Sequence, residues 1–112
     1  MLGSPKQRNL AEGVTAAQAA LWAREVLGDA VKQGEDRRVT LCVEPLAPSE
    51  TNFLNTASDA IRFIQEAPSP ALKIILDVKA MSSESKPIPQ IIRESWPHFA
   101  YFHANDKNLK GP

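Results

Sequence analysis

Three residues able to bind a divalent ion stand at matching places in this sequence. Glu44, Asp77 and His103 each close a short apolar run: Val39-Thr-Leu-Cys-Val before Glu44, Leu72-Lys-Ile-Ile-Leu before Asp77, and Phe99-Ala-Tyr-Phe before His103. Runs of this length, β-branched in the first two and aromatic in the third, read as strands. Two carboxylates and an imidazole are a donor set for Mn²⁺, Mg²⁺, Co²⁺ or Zn²⁺. A single carboxylate at a strand end is ordinarily a loop cap or a solvated group, and a lone histidine there is ordinarily structural. The succession of three is what points to a metal, and the pattern leaves both readings open.

The elements that would position these residues alternate. Thr15-Ala-Ala-Gln18 has the form of a capping box. Ala16, Ala19, Ala20, Ala23, Leu27, Ala30 and Val31 then recur at helical spacing, which predicts an amphipathic helix of about five turns that Gly34 stops. Arg38 to Glu44 reads as a strand buried on both faces, with Thr40, Cys42 and Glu44 on one side, closed by Pro45. Pro45 to Asn55 is an irregular segment long enough to carry function. Thr56-Ala-Ser-Asp59 starts a short helix with Ala60, Ile61, Ile64 and Ala67 as its apolar stripe. The second strand ends at Asp77, Lys79 to Pro87 reads as loop, Ile88 to Trp96 as a two-turn helix, and Phe99 to His103 as the third strand. Residues 1–14 read as loop, with Met1-Leu2 as the end of a preceding strand. Helix, strand, helix, strand, helix, strand implies a parallel sheet of βαβ units. Its C-terminal edge, where α/β folds build their sites, would hold Glu44, Asp77 and His103 together.

Composition narrows the classes. The 112 residues carry thirteen basic and thirteen acidic side chains, so no nucleic-acid footprint shows at whole-chain level. No apolar run is long enough for a membrane span. Residues 1–9 lack the apolar stretch of a secretory signal. The single Cys42 excludes an internal disulfide and a multi-cysteine metal site, and it reads as a small strand residue. A cytoplasmic protein without nucleic-acid or membrane partners is the expectation; self-association stays open.

Leu41-Cys-Val-Glu44-Pro45-Leu46, Thr51-Asn-Phe-Leu-Asn-Thr56, Leu76-Asp77 and Phe102-His103-Ala-Asn-Asp106 together resemble the sugar phosphate isomerase/epimerase family. Its members have the xylose isomerase-like (β/α)₈ TIM barrel, and ketohexose 3-epimerases are the nearest functional type. Asp77 follows Glu44 by 33 residues and His103 follows Asp77 by 26, as in epimerase-type members. The resemblance implies that Glu44 is a metal ligand and one of two catalytic acid/bases. It makes Asp77 and His103 metal ligands, and Glu50 a contact to a sugar or sugar phosphate. The implied chemistry is isomerisation or epimerisation by proton transfer through an enediolate, with a divalent ion polarising the ketose carbonyl.

The match has two departures. Ala80 stands where the epimerases carry a histidine, with Lys79 beside it as an electrostatic replacement or a loop cation. A complete barrel needs about 250 residues. Residues 1–112 are therefore expected to be a partial barrel domain, from the end of strand four through strand seven. The fourth ligand and the second catalytic carboxylate are expected on an eighth strand beyond Pro112.

Asp106, three residues after His103, is a candidate partner for substrate or for His103, or a loop cap. Asn105, Lys107 and Lys110 could contact a hydroxyl or phosphate but read first as solvated loop residues; His98 reads as structural or surface, and Trp22 and Trp96 as packing residues on helices. The competing readings are a hydrolase or lyase on the same barrel, of endonuclease-like or inosose dehydratase-like type, and a catalytically silent fragment.

Overall fold

A computed structural model of the chain describes residues 8–105. Three parallel strands, in the order β1-β2-β3, alternate with helices. They are α1 (Ala16–Arg37), β1 (Leu41–Val43), α2 (Ala57–Gln65), β2 (Leu72–Asp77), α3 (Val78–Ser82), α4 (Ile88–Ser95) and β3 (Phe99–His103). The helix-strand alternation and the parallel sheet are those expected from the sequence. Met1-Leu2 and Asp106 lie outside the described residues.

Local chemistry explains most boundaries. The Thr15 hydroxyl accepts from the Gln18 amide at 3.2 Å and starts α1. Thr56 and Asp59 form a complete capping box on α2. A more distant group adds to it: the Glu84 carboxylate accepts from the Ala57 N–H at 3.2 Å. On α2 the buried face is Ala57, Ala60, Phe63 and Ile64, while Ala67 is exposed beyond the helix end.

Three expectations are corrected. Gly34 does not stop α1; the helix runs to Arg37 and closes with Arg38 in the left-handed region at φ 56°. Gly34 is there for closeness. A Cβ on it would meet the Val39 carbonyl oxygen and Leu41 Cδ1, each at 2.8 Å, because the chain turns back over the helix to enter β1. The strand predicted over 38–44 shrinks to Leu41–Val43, with Val39 exposed, because β2 offers pairing partners only from Leu72 onward. The segment read as loop after Asp77 contains α3.

The core lies between one sheet face and the helices. Leu72, Ile74 and Leu76 of β2 pack with Phe63 and Ile64 of α2, Met81 of α3 and Ile91 of α4. Ile74 and Leu76 are completely buried. Each such side chain contributes about 1.5–3 kcal/mol by leaving water. Lys73, Ile75 and Asp77 alternate onto the other face and stay half-buried, so the sheet is not covered equally on both sides. The site stands at the end of that more open face.

Register decides what meets there. β1 pairs Leu41 with Leu72 and Val43 with Ile74. β2 pairs Ile74 with Phe99 but Ile75 with Tyr101, so Ala100 is an extra residue in β3. After that irregularity Asp77 lies directly opposite His103. A bulge of this kind shifts every following residue by one place.

Candidate metal centre

Each of the three strands delivers one donor. Glu44 follows the last residue of β1, and its side chain is 9% exposed. Asp77 ends β2 and His103 ends β3. One ligand atom from each lies within 4.8 Å of the other two. His103 Nδ1 is 3.2 Å from Glu44 Oε1 and 3.7 Å from Asp77 Oδ2. Ion-to-donor legs of about 2.0–2.5 Å allow two donors to stand up to about 4–5 Å apart, so this cluster has the dimensions of a coordination site. Its two carboxylates and one imidazole are the donor types that hard and borderline divalent ions take.

The strand-end residues do more than point at one another. Asp77 is also the N-cap of α3: its Oδ1 accepts from the Ala80 N–H at 3.0 Å. Aspartate is among the preferred cap residues, and Asp77-Val-Lys-Ala80 was the local signal for that helix. The buried Ala80 therefore supports Asp77 through its backbone, although it lacks a side chain that can bind metal.

Glu50 stands apart from the three-donor cluster. Its Oε1 pairs with Lys79 Nζ at 3.1 Å, both side chains being about 30% exposed or less. The pair joins the segment after β1 to α3. That segment is a built structure. The Asn55 amide donates to the Leu46 and Thr51 carbonyls at 2.9 and 2.8 Å, and Leu46 N–H donates to the Leu54 carbonyl at 3.1 Å. Pro45, Leu46, Ala47, Thr51 and Phe53 are buried beneath it.

Three contributors were not legible as functional in the sequence. Arg8 donates to the Leu54 carbonyl at 3.3 Å, and burial pulls its guanidinium below the ordinary arginine value while the charge of Glu44 opposes that shift. Lys79, read as a loop cation, holds Glu50. Asn105, read as solvated, bonds both to Asp77 and to the backbone of Lys79. The available signal was proximity in sequence: Lys79 is two residues past Asp77, and Asn105 is two past His103. Cys42 is half-buried, and desolvation pushes its thiol upward, away from the nucleophilic form.

A cleft of about 370 Å³ opens beside Glu44, with Arg8, Trp22, Cys42, Phe53 and Phe63 in its walls. It runs along β1, which among the described residues pairs only with β2. No described helix is long and apolar enough to cross a membrane.

Residues 2–112 match the family model of the xylose isomerase-like TIM barrel. D-psicose 3-epimerase of Agrobacterium fabrum is 30% identical over 77 residues, covering 69% of this chain and 27% of that protein. A crystal structure of D-psicose 3-epimerase in the presence of D-fructose superposes with a TM-score of 0.79 at 26% identity, over 88% of this chain and 34% of the other. The apo 3-keto-D-glucoside 4-epimerase from E. coli gives a TM-score of 0.80 at 19% identity, over 88% of this chain and 37% of the other, a likeness of fold. The chain thus spans about a third of the length of the relatives it matches.

Proposed function

Since this chain belongs to the xylose isomerase-like TIM barrel family, we propose that it forms the part of a metal-dependent sugar isomerase or epimerase that carries three metal ligands and one proton-transfer carboxylate. The convergence of Glu44, Asp77 and His103 donor atoms within 4.8 Å carries this reading. The relatives being D-psicose 3-epimerases supports a ketose, free or phosphorylated, as substrate. On this reading residues 1–112 extend from the end of the fourth barrel strand through the seventh. The opposing carboxylate and fourth ligand belong to the remainder of the barrel.

Glu44, Asp77 and His103 would hold the ion. A divalent ion bound there supplies electrophilic polarisation of a ketose carbonyl and the neighbouring hydroxyl. On this reading Glu44 acts on the substrate as a base. It is nearly buried, with one oxygen turned to His103 and the cleft at its side, so it meets a sugar out of bulk water. Its carboxylate takes the proton from the carbon next to the carbonyl, leaving an enediolate, and a carboxylate on the opposite face returns one. Glu50, held by Lys79, contacts a sugar hydroxyl; Lys79 confines its rotamers beforehand. Asp106 keeps the role of a further substrate contact.

The test is isotope exchange. Protein containing this chain within a complete barrel, loaded with Mn²⁺ and given D-fructose or D-psicose in D₂O, is expected to place deuterium on the carbon next to the carbonyl. Glu44→Gln is expected to remove that exchange. Exchange unchanged in Glu44→Gln would overturn the assignment of Glu44 as a base.

A further inference from the structure

Asn105 sits at the centre of a hydrogen-bond chain. Its Oδ1 accepts from the Lys79 N–H at 3.0 Å, and its Nδ2 donates to Asp77 Oδ2 at 2.8 Å. A backbone N–H only donates and a carboxylate oxygen only accepts, so the two ends of the amide are not interchangeable. The other Asp77 oxygen, Oδ1, accepts from the Ala80 N–H at 3.0 Å. The carboxylate is held at both ends, which sets its plane. Asn105 follows His103 by two residues, so one side chain also ties the segment after β3 to the first turn of α3.

The consequence falls on Asp77 Oδ2. This oxygen has two lone-pair directions; Asn105 takes up one, and the oxygen stands 3.7 Å from His103 Nδ1. Freed of Asn105, the side chain would keep only its Ala80 bond and could turn Oδ2 away from the cluster. The link extends further: Lys79, whose backbone holds the Asn105 amide, binds Glu50 through its side chain. Glu44, His103, Asp77, Asn105, Lys79 and Glu50 thereby connect three separate segments.

We propose, resting on the metal reading above, that Asn105 is a positioning residue, which presents Asp77 Oδ2 to a divalent ion shared with Glu44 and His103. It acts through Asp77 and makes no contact with the ion itself. Partners that orient metal ligands from behind typically change affinity by about 10–100-fold when removed.

The experiment titrates Mn²⁺ by calorimetry into protein containing this chain within a complete barrel and records the visible absorption of its Co²⁺-loaded form. Wild type, Asn105→Ala and Thr15→Ala are compared. Thr15→Ala removes the cap of α1, a hydroxyl that takes no part in the Asn105 chain of bonds, and controls for lost stability. Asn105→Ala is expected to bind Mn²⁺ about 10–100-fold more weakly and to shift the Co²⁺ band, while Thr15→Ala changes neither. Asn105→Ala within twofold of wild type, with an unchanged Co²⁺ band, overturns the inference and leaves the metal reading standing. An equal loss of affinity in both variants also overturns it, by making the effect one of stability. Wild type taking up no ion while folded overturns the metal reading itself, and with it the role of Asn105.

Discussion

Glu44 and His103 lie 59 residues apart on strands that do not pair, yet Oε1 of one and Nδ1 of the other are 3.2 Å apart. β2 runs between them, and two strand spacings amount to about 10 Å. Residues of β1 and β3 nonetheless come within 8 Å of one another at Cα, so the sheet curves, and the Glu44 and His103 side chains span the rest. Asp77, on the middle strand, brings its Oδ2 to 3.7 Å from His103 Nδ1. Curvature of the sheet is thus what turns three separate strand ends into one set of donors.

Ligand and cap roles of Asp77 are separable. Asp77→Ser keeps a good N-cap for α3 but lacks the carboxylate. It is expected to unfold close to the wild-type midpoint in urea and to lose Mn²⁺ affinity by more than tenfold in calorimetry. Asp77→Ala is expected to lose both, with about 0.5–2 kcal/mol of stability gone with the cap.

Ion binding is expected to raise the thermal midpoint. A ligand held only by the folded chain adds about 2.7 kcal/mol at a hundred times its dissociation constant. Scanning calorimetry with Mn²⁺, then with excess EDTA, is expected to show a rise and its reversal. His103→Ala is expected to show no rise.

Gly34→Ala tests whether closeness or helix propensity governs that position. Propensity alone favours alanine by about 1 kcal/mol. The added Cβ would stand 2.8 Å from the Val39 carbonyl oxygen, a backbone atom that moves only with the entry into β1. Overpacking of this kind costs about 1–3 kcal/mol. Net destabilisation is expected in urea unfolding; a more stable variant would mean that the turn relaxes freely.

Glu84 gives a pH-dependent prediction. Burial raises its carboxyl above the ordinary value, although the Ala57 N–H bond acts the other way. A raised folded value means that the native state holds the proton more tightly than the unfolded chain. Stability from this group is therefore full below the unfolded value and is lost as pH rises through the carboxylate range to the folded value. Glu84→Gln removes the buried charge and keeps an acceptor for Ala57. It is expected to be more stable than wild type at pH 7, with the difference shrinking as the pH falls into the carboxylate range. Paired thermal melts across that range check the sign.

Asn55→Ala is expected to loosen the segment carrying Glu50. It removes two bonds to main-chain carbonyls, each contributing about 0.5–1.5 kcal/mol. Limited proteolysis is expected to cut faster between Leu46 and Asn55, with the core helices protected as in wild type.

Local patterns carried a large share of this fold. β2 and β3 have the predicted bounds, because short apolar runs and bounding prolines are properties of neighbouring residues. Thr15 and Thr56 mark helix starts for the same reason. Three chemically capable residues at three strand ends could be read without any coordinates. What neighbours along the chain do not encode is where β3 slips against β2. Without the extra Ala100, a regular ladder from Ile74 and Phe99 would set Phe102, not His103, opposite Asp77. The same limit hid the Asn105 bridge, the Glu50–Lys79 pair and the reason for Gly34, each of which joins segments well separated in sequence. Their formation depends on register, curvature and close packing, and those are settled only when all three strands and their helices share one core.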